Sequence, residues 1–330
     1  MKNYGLPYQG SKNKIAEDII DFLPQGNRLV DLFGGGGAIS HCASLSGKWN
    51  SVLYNELNPL IFKGFKMAVN GEFNTENRWI SHEDFDNLKG TDPYVAICFS
   101  FSNNLIRYAY GQYIEPWKKA IHYARVFNDY SEFKKFGIDT DGSSEEIRKH
   151  EESYKEKYLD WYRNNFSSVS DEELIDSFSS FTILESLQRQ NRIKEVYDFT
   201  RLQSLARSKI LKGLTSQATR NIELVNGSYL DYQYQEGDVV YCDPPYENTD
   251  CGGYEGFNHK EFYEWVHTRP YQVFFSSYEI SDKTFHTLWL KKKLKMSGGN
   301  SIEIGMADEY IYSNMPYIKE KITKQNFIFG

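Results

Sequence analysis

Arg28-Leu29-Val30-Asp31-Leu32-Phe33-Gly34-Gly35-Gly36-Gly37 is a short apolar run that ends in four consecutive glycines. Such a run predicts a buried strand followed by a tight turn. Glycine permits positive φ and lets a ligand approach the backbone closely. Ala38-Ile39-Ser40-His41-Cys42-Ala43-Ser44-Leu45 then predicts a helix. A second strand is expected at Ser51-Val52-Leu53-Tyr54, ending at Asn55-Glu56. In a doubly wound sheet, an acid roughly 20 residues past the glycines accepts hydrogen bonds from ribose hydroxyls. The dinucleotide fingerprint would need a third glycine where Ile39 stands, which argues against a nicotinamide dehydrogenase. A packing role for the glycines stays open.

Far along the chain, Val239-Val240-Tyr241-Cys242 runs directly into Asp243-Pro244-Pro245-Tyr246. The first four residues read as a buried strand, stopped at its carboxyl end by the double proline. Each proline fixes its φ and removes a donor, and Pro245 also keeps Pro244 out of the helical region. What results is a stiff stub with a carboxylate at its base, free carbonyls along it and a ring at its tip. Those parts can grip a planar base with an exocyclic amine. The carboxylate and a proline carbonyl accept the two amine hydrogens, while the Tyr246 ring stacks on the base.

Together these segments resemble the Dam-like, alpha-class adenine-specific DNA methyltransferases. The resemblance rests on Tyr8-Gln9-Gly10-Ser11-Lys12, Asp31-Leu32-Phe33-Gly34-Gly35-Gly36, Glu56-Leu57-Asn58 and Asp243-Pro244-Pro245-Tyr246, in that order. Weaker parts of it are Gly227 to Asp231, Phe274-Phe275-Ser276-Ser277 and Glu309-Tyr310-Ile311. It covers both ends and about half of the chain.

The resemblance implies a Rossmann-like class I methyltransferase sheet, α/β in class, carrying an inserted, mostly helical DNA-recognition domain. It implies S-adenosylmethionine as cofactor, lying over Phe33, Gly34, Gly35 and Gly36 with Asp31 and Asp243 beside it. Glu56 would take its ribose, and Tyr8 and Lys12 its methionine end. Asp243, Pro244, Pro245 and Tyr246 would form the catalytic segment, acting on an adenine flipped from duplex DNA, since a stacked and paired base is out of reach. An amino-group methyltransferase acting on cytosine commonly has Ser at Asp243, and one acting on protein glutamine has Asn. RNA as substrate, and a non-catalytic DNA-binding relative, are further alternatives.

The chain of 330 residues is long enough for one large core and a second lobe. The expected catalytic domain comprises 1–63 and 217–330, and the DNA-binding insertion 64–216. Within the insertion, Ser144 to Phe166 predicts one charged helix with Tyr154, Tyr158, Trp161 and Tyr162 on one side, and Phe181 to Val196 another. Asn221 to Val225, Asp238 to Cys242 and Tyr271 to Phe275 predict strands. Ser301 to Ile304 and Tyr310 to Tyr312 predict antiparallel edge strands.

A net charge of −7 argues mildly against a nucleic-acid partner, so the distribution of charge matters more. Gln188 to Arg220 holds Arg189, Arg192, Lys194, Arg201, Arg207, Lys209, Lys212 and Arg220, opposed only by Glu195 and Asp198. Leu202, Leu205, Ile210 and Leu214 follow a helical stripe that leaves Arg201, Arg207 and Lys212 to face phosphates. Asn103, Asn104 and Arg107 suit base and phosphate contact. Lys291 to Lys295 is a second basic run. Cys42, Cys98, Cys242 and Cys251 lack metal spacing and the histidines form no cluster, so no metal is expected. No run could span a bilayer and no signal segment is evident, which fits the cytoplasm of a bacterium or of a phage-infected cell. Double-stranded DNA is the expected partner, with the protein a monomer or weak dimer. A restriction-modification setting stays open.

Overall fold

The computed structural model describes residues 3–166, 186–196, 221–247, 249, 256–297 and 303–317. The chain divides into two compact units: Lys12–Phe62 with Leu202–Gly330, and Met1–Ser11 with Lys63–Arg201.

The first unit is built on a seven-stranded sheet. Its strands are β1 (Arg28–Asp31), β2 (Ser51–Glu56), β3 (Ile222–Asn226), β4 (Asp238–Cys242), β5 (Val273–Ser277), β6 (His286–Ser297) and β7 (Glu303–Ser313). They lie in the order β3-β2-β1-β4-β5-β7-β6. The first five are parallel, and β7 runs antiparallel to both β5 and β6. This is the expected Rossmann-like α/β sheet. Every residue of β1 and β5 is buried, as parallel strands covered on both faces require. Helix α1 (Ala16–Phe22) and helix α2 (Ala38–Ser46) belong to this unit, as does α3 (His259–His267). Along α3, Phe262, Tyr263, Trp265 and Val266 join Val30, Val240, Cys242, Phe275 and Phe285 in one apolar core. Burying each such side chain contributes about 1.5–3 kcal/mol before chain entropy is counted. Arg28 clamps the far end of the sheet, with Nε and Nη2 donating to both oxygens of Asp238 at 2.9 and 2.8 Å and Nη1 to Glu223 at 3.1 Å.

β1 pairs with β2 on one side and β4 on the other. Strand order therefore reverses between β1 and β4, and in open α/β sheets ligands bind beyond the carboxyl ends at such a point. Asp31 ends β1, and Asp243 directly follows β4.

Two expectations need correction, and one basic run is found within a strand. Tyr310 to Tyr312 is not an edge strand: it belongs to the eleven-residue β7, which lies between β5 and β6. The basic run Lys291 to Lys295 lies within β6, because a long antiparallel pairing with β7 organises a segment whose own pattern is weak. Ser144 to Phe166 is two helices, Ser144–Lys149 and Glu151–Asn165, separated at His150, whose φ of −113° and ψ of 20° leave the helical range.

The second unit is mainly helical among its described residues. Trp117, on the helix Glu115–Phe127, packs its ring against Phe133, Phe136 and Tyr158. A helix at 186–196 sends Arg192 to the carbonyls of Tyr4, Gly5 and Leu6, and Arg189 to those of Cys98 and Ser100. The segment before Lys12 thus groups with this unit through a guanidinium fork on its backbone.

Candidate active site

The strand β4 delivers Asp243 to the switch point, and three side chains converge on one of its oxygens. Lys12 Nζ lies 2.7 Å from Oδ1, Ser276 Oγ donates to it at 2.8 Å, and the Tyr246 hydroxyl stands 3.1 Å away. Behind Ser276, the Tyr241 hydroxyl donates to Ser276 Oγ at 2.8 Å. Among the described residues nothing bonds Asp243 Oδ2, and the side chain keeps 18% exposure. The Pro245 carbonyl is 2.9 Å from His259 Nε2. The Pro244 carbonyl takes no hydrogen bond among the described residues.

A second carboxylate completes the cluster. Glu309, on β7, is wholly buried; its Oε1 accepts the Tyr246 hydroxyl at 2.5 Å and lies 3.3 Å from Lys12 Nζ. The Lys12 ammonium also lies 4.7 Å from the centre of the Tyr246 ring. Burial disfavours the charged lysine, but Asp243 and Glu309 outweigh it and hold its pKa above the ordinary range. Burial first, then the same two carboxylates, push the Tyr246 phenol well above its usual value, so it stays a donor. The Tyr246 ring meets Tyr278 edge-on at 4.8 Å.

Beside this cluster, the glycine turn is shaped by β2. Gly34 N donates to the Asn55 carbonyl at 2.8 Å, and the Tyr54 hydroxyl donates to the Gly35 carbonyl at 2.8 Å. A Cβ on Gly34 would stand 2.2 Å from the Tyr54 ring, so only glycine fits there. Gly35 and Gly37 adopt φ of 49° and 75°, which favours glycine at both. β2 extends two residues further than its apolar run, through buried Asn55 and Glu56. One Glu56 oxygen accepts Gly35 N and the other Asn58 N, both at 2.7 Å. Leu57 (61% exposed) and Leu230 (48%) are large apolar side chains left open near these strand ends. Phe33 stacks on Tyr229 at 5.1 Å and meets Phe262 edge-on at 5.6 Å. Asp31 is buried; Ser40 Oγ donates to its Oδ2 at 2.7 Å, while Oδ1 has no partner among the described residues. Burial lifts its pKa to about 7 despite the Ser40 bond, with the charges of Asp243 and Glu56 adding to the rise.

Asp31, Lys12, Glu56, Asp243 and Tyr246 therefore share one end of one sheet. Ser276 and Glu309 join them, although the sequence shows them only as weaker parts of the resemblance. Tyr8 lies in the other unit, half-buried, its carbonyl accepting Ser11 N at 3.2 Å. In that unit Asn103, Asn104 and Arg107 form a tight loop, where Phe101 N donates to the Arg107 carbonyl. Ser102, Asn103 and Leu105 have positive φ. Asn104 Oδ1 accepts Ile106 N at 2.9 Å and Arg107 N at 3.0 Å, so its side chain serves the loop. Asn103 Oδ1 is buried with no partner among the described residues, Arg107 is exposed, and Phe101 and Ile106 are 56% and 54% exposed. Arg189 and Arg192, counted above with the basic stretch, cap carbonyls instead of facing phosphates. Arg201, Arg207 and Lys212 lie outside the described residues.

Among the described residues no group of three or more His, Cys, Asp or Glu could hold a metal ion, and no helix is long and apolar enough to cross a membrane. No curated protein matches the chain. A model of the D12 class N6 adenine-specific DNA methyltransferases matches residues 8–287, which include the glycine turn, Glu56 and the whole Asp-Pro-Pro-Tyr segment. A carboxylate with one oxygen open among the described residues, set at the switch point of a Rossmann-like sheet, agrees with that match. The chain belongs to the D12 class of N6 adenine-specific DNA methyltransferases, and its reaction is methylation of the exocyclic amine of adenine in DNA.

Proposed function

We propose that the chain flips adenine out of duplex DNA and uses S-adenosylmethionine as its methyl donor, with Asp243 and the Pro244 carbonyl holding the amine. The observation that carries this reading is the one-sided loading of Asp243. Every described donor falls on Oδ1, which leaves Oδ2 and the nearby Pro244 carbonyl as the acceptors available to two amine hydrogens. S-adenosylmethionine, when bound, would supply a methyl group on a sulfonium: the C–N bond forms as the C–S bond breaks, the electron pair stays on sulfur, and one amine proton then leaves the nitrogen for Asp243 Oδ2 and from there for water. The adenine amine is a poor nucleophile because its lone pair is delocalised into the ring. Two acceptors that pull on its hydrogens draw that lone pair out of the ring plane, and fixed acceptors need no reorganisation in the transition state. Tyr246 offers its ring to the base, and Pro245 keeps the stub rigid.

The carboxylates suit a cationic cofactor. Asp31 feels the charges of both Asp243 and Glu56, and a cation nearby would favour its ionised form; its Oδ1 has no partner among the described residues. Glu56 is placed for the ribose, Phe33 to Gly36 for close backbone approach, and Leu57 and Leu230 for an apolar ring. Lys12 reads better as the orienting partner of Asp243 than as a contact for the methionine end, which is left to Tyr8. Residues 64–216 are assigned to DNA recognition, with Asn103, Asn104 and Arg107 in a contacting loop and Arg201, Arg207 and Lys212 on phosphates. The enzyme would work in the cytoplasm as a monomer or weak dimer. Expression in a host without adenine methylation, followed by single-molecule sequencing, should reveal N6-methyladenine in a fixed flanking context. Calorimetry should show binding of S-adenosylmethionine to the purified protein. Host DNA free of modified adenine despite folded, expressed protein would overturn the reading.

A further inference from the structure

We propose that Glu309 is a positioning residue for methyl transfer: it draws the Tyr246 hydroxyl proton and part of the Lys12 ammonium to itself, so that Asp243 keeps its strength as an acceptor. The proposal rests on the reading of Asp243 as the residue that takes the amine.

Three facts lead to it. Tyr246 has a single hydroxyl proton and two carboxylates within reach. Its oxygen lies 2.5 Å from Glu309 Oε1 and 3.1 Å from Asp243 Oδ1, so the proton goes to Glu309. Lys12 is likewise shared, at 2.7 Å from Asp243 and 3.3 Å from Glu309. Finally, Glu309 is wholly buried on β7, between β5 and β6, where an ionised carboxylate is costly unless other groups use its charge. Without Glu309, the hydroxyl proton and the whole ammonium would turn to Asp243. Its negative charge would then be drained toward Oδ1, and Oδ2 would pull less on the amine. A net excess of one negative charge in the Lys12, Asp243 and Glu309 group also complements the positive charge that develops on the amine as the new C–N bond forms.

The test is a double-mutant cycle with Glu309→Gln and Asp243→Asn, assayed with methyl-labelled S-adenosylmethionine and genomic DNA lacking adenine methylation. Glu309→Gln should lower kcat about tenfold while the KM for cofactor changes less than about twofold, because only a transition-state interaction is weakened. In the Asp243→Asn background the same change should alter the residual rate by less than about twofold, the non-additivity expected of groups that act through one another. Glu309→Asp, which keeps the charge, should retain kcat within about threefold. Equal losses in both backgrounds, or an Asp variant as slow as the Gln variant, would overturn the proposal. Wild-type turnover in Asp243→Asn alone would instead sink the underlying reading of Asp243, which separates the two failures. Should Glu309→Gln not fold, Glu309→Ala carries the test, since it also removes the carboxylate that competes with Asp243 for the hydroxyl and the ammonium. A fall in kcat of about tenfold at a cofactor KM changed less than about twofold is then expected, and unaltered turnover would overturn the proposal.

Discussion

Asp31 ends β1 and Asp243 directly follows the neighbouring β4, yet the fold treats the two in opposite ways. Asp31 is sealed, with one oxygen on Ser40 and the other without a described partner, and burial lifts its pKa to about 7. Asp243 collects a cation and two hydroxyls on one oxygen and leaves the other open. The same side chain is in one case pushed by burial toward its protonated form and in the other left with one oxygen open among the described residues. The helical unit repeats the contrast, because Asn104 is spent on its own loop while Arg107, three residues on, faces outward. Residue type announces that a polar group is present; the donors around it decide whether it serves the protein or a ligand.

The sharpest way to break that contrast is Asp243→Asn. The variant should fold and bind cofactor, while kcat falls at least about 100-fold, since losing the charge weakens the hydrogen bond to the amine in the transition state. Stopped-time methylation assays on the purified variant would check this, and near-normal turnover would return Asp243 to the class of internal residues. Glu56 is the intermediate case, a buried acid that already accepts two backbone N–H groups. Glu56→Ala should weaken S-adenosylmethionine binding about tenfold by calorimetry with little change in kcat at saturation, as for a contact made equally in ground and transition states.

For Asp31 the effect is on stability, and its sign follows from the raised pKa. Between about pH 4 and pH 7 the folded state binds more protons at this residue than the unfolded state, so its contribution to stability falls as pH rises through that window and levels off above it. Asp31→Asn removes the penalty. Its melting temperature relative to the parent should therefore climb from pH 5 to pH 7, by about 2–4 °C for each kcal/mol recovered. A constant difference across that range would mean that Asp31 is already ionised in the folded protein. The smallest effect is assigned to Arg107. Arg107→Gln should lower the slope of log affinity against log salt by about 0.9, the share of one phosphate on duplex DNA. An unchanged slope would place Arg107 away from the backbone of the nucleic acid.

Much of this architecture was legible before any coordinates. The strand, glycine turn and helix from Arg28 to Leu45, and the strand ending at Asp243, are contiguous signals that need no partner to be read. β6 was not, because three successive lysines give no alternation and its order comes from pairing with β7. Glu309 was visible only as a weaker part of the resemblance, because it follows Asp308 in sequence and only the antiparallel pairing turns one of the two acids inward. Arg189 and Arg192 were misleading for a related reason. A dense basic stretch suggests phosphate, but a guanidinium is equally suited to gather carbonyls from a chain segment distant in sequence.

The pairing of Lys12 with Glu309 also bears on how the protein comes into being. Nearly the whole described sequence separates these two residues, so their contact cannot form early during synthesis. Domains begin to fold as they leave the ribosome, yet a nascent chain that has already exposed the glycine turn and the Asp-Pro-Pro-Tyr stub still lacks β7 and the acid it carries. On the proposed role of Glu309, catalytic competence would wait until the strand has been translated and placed between β5 and β6. The same arrangement makes the enzyme a candidate for splitting: a fragment ending before β6 should be silent alone and regain activity only when the missing hairpin is supplied in trans.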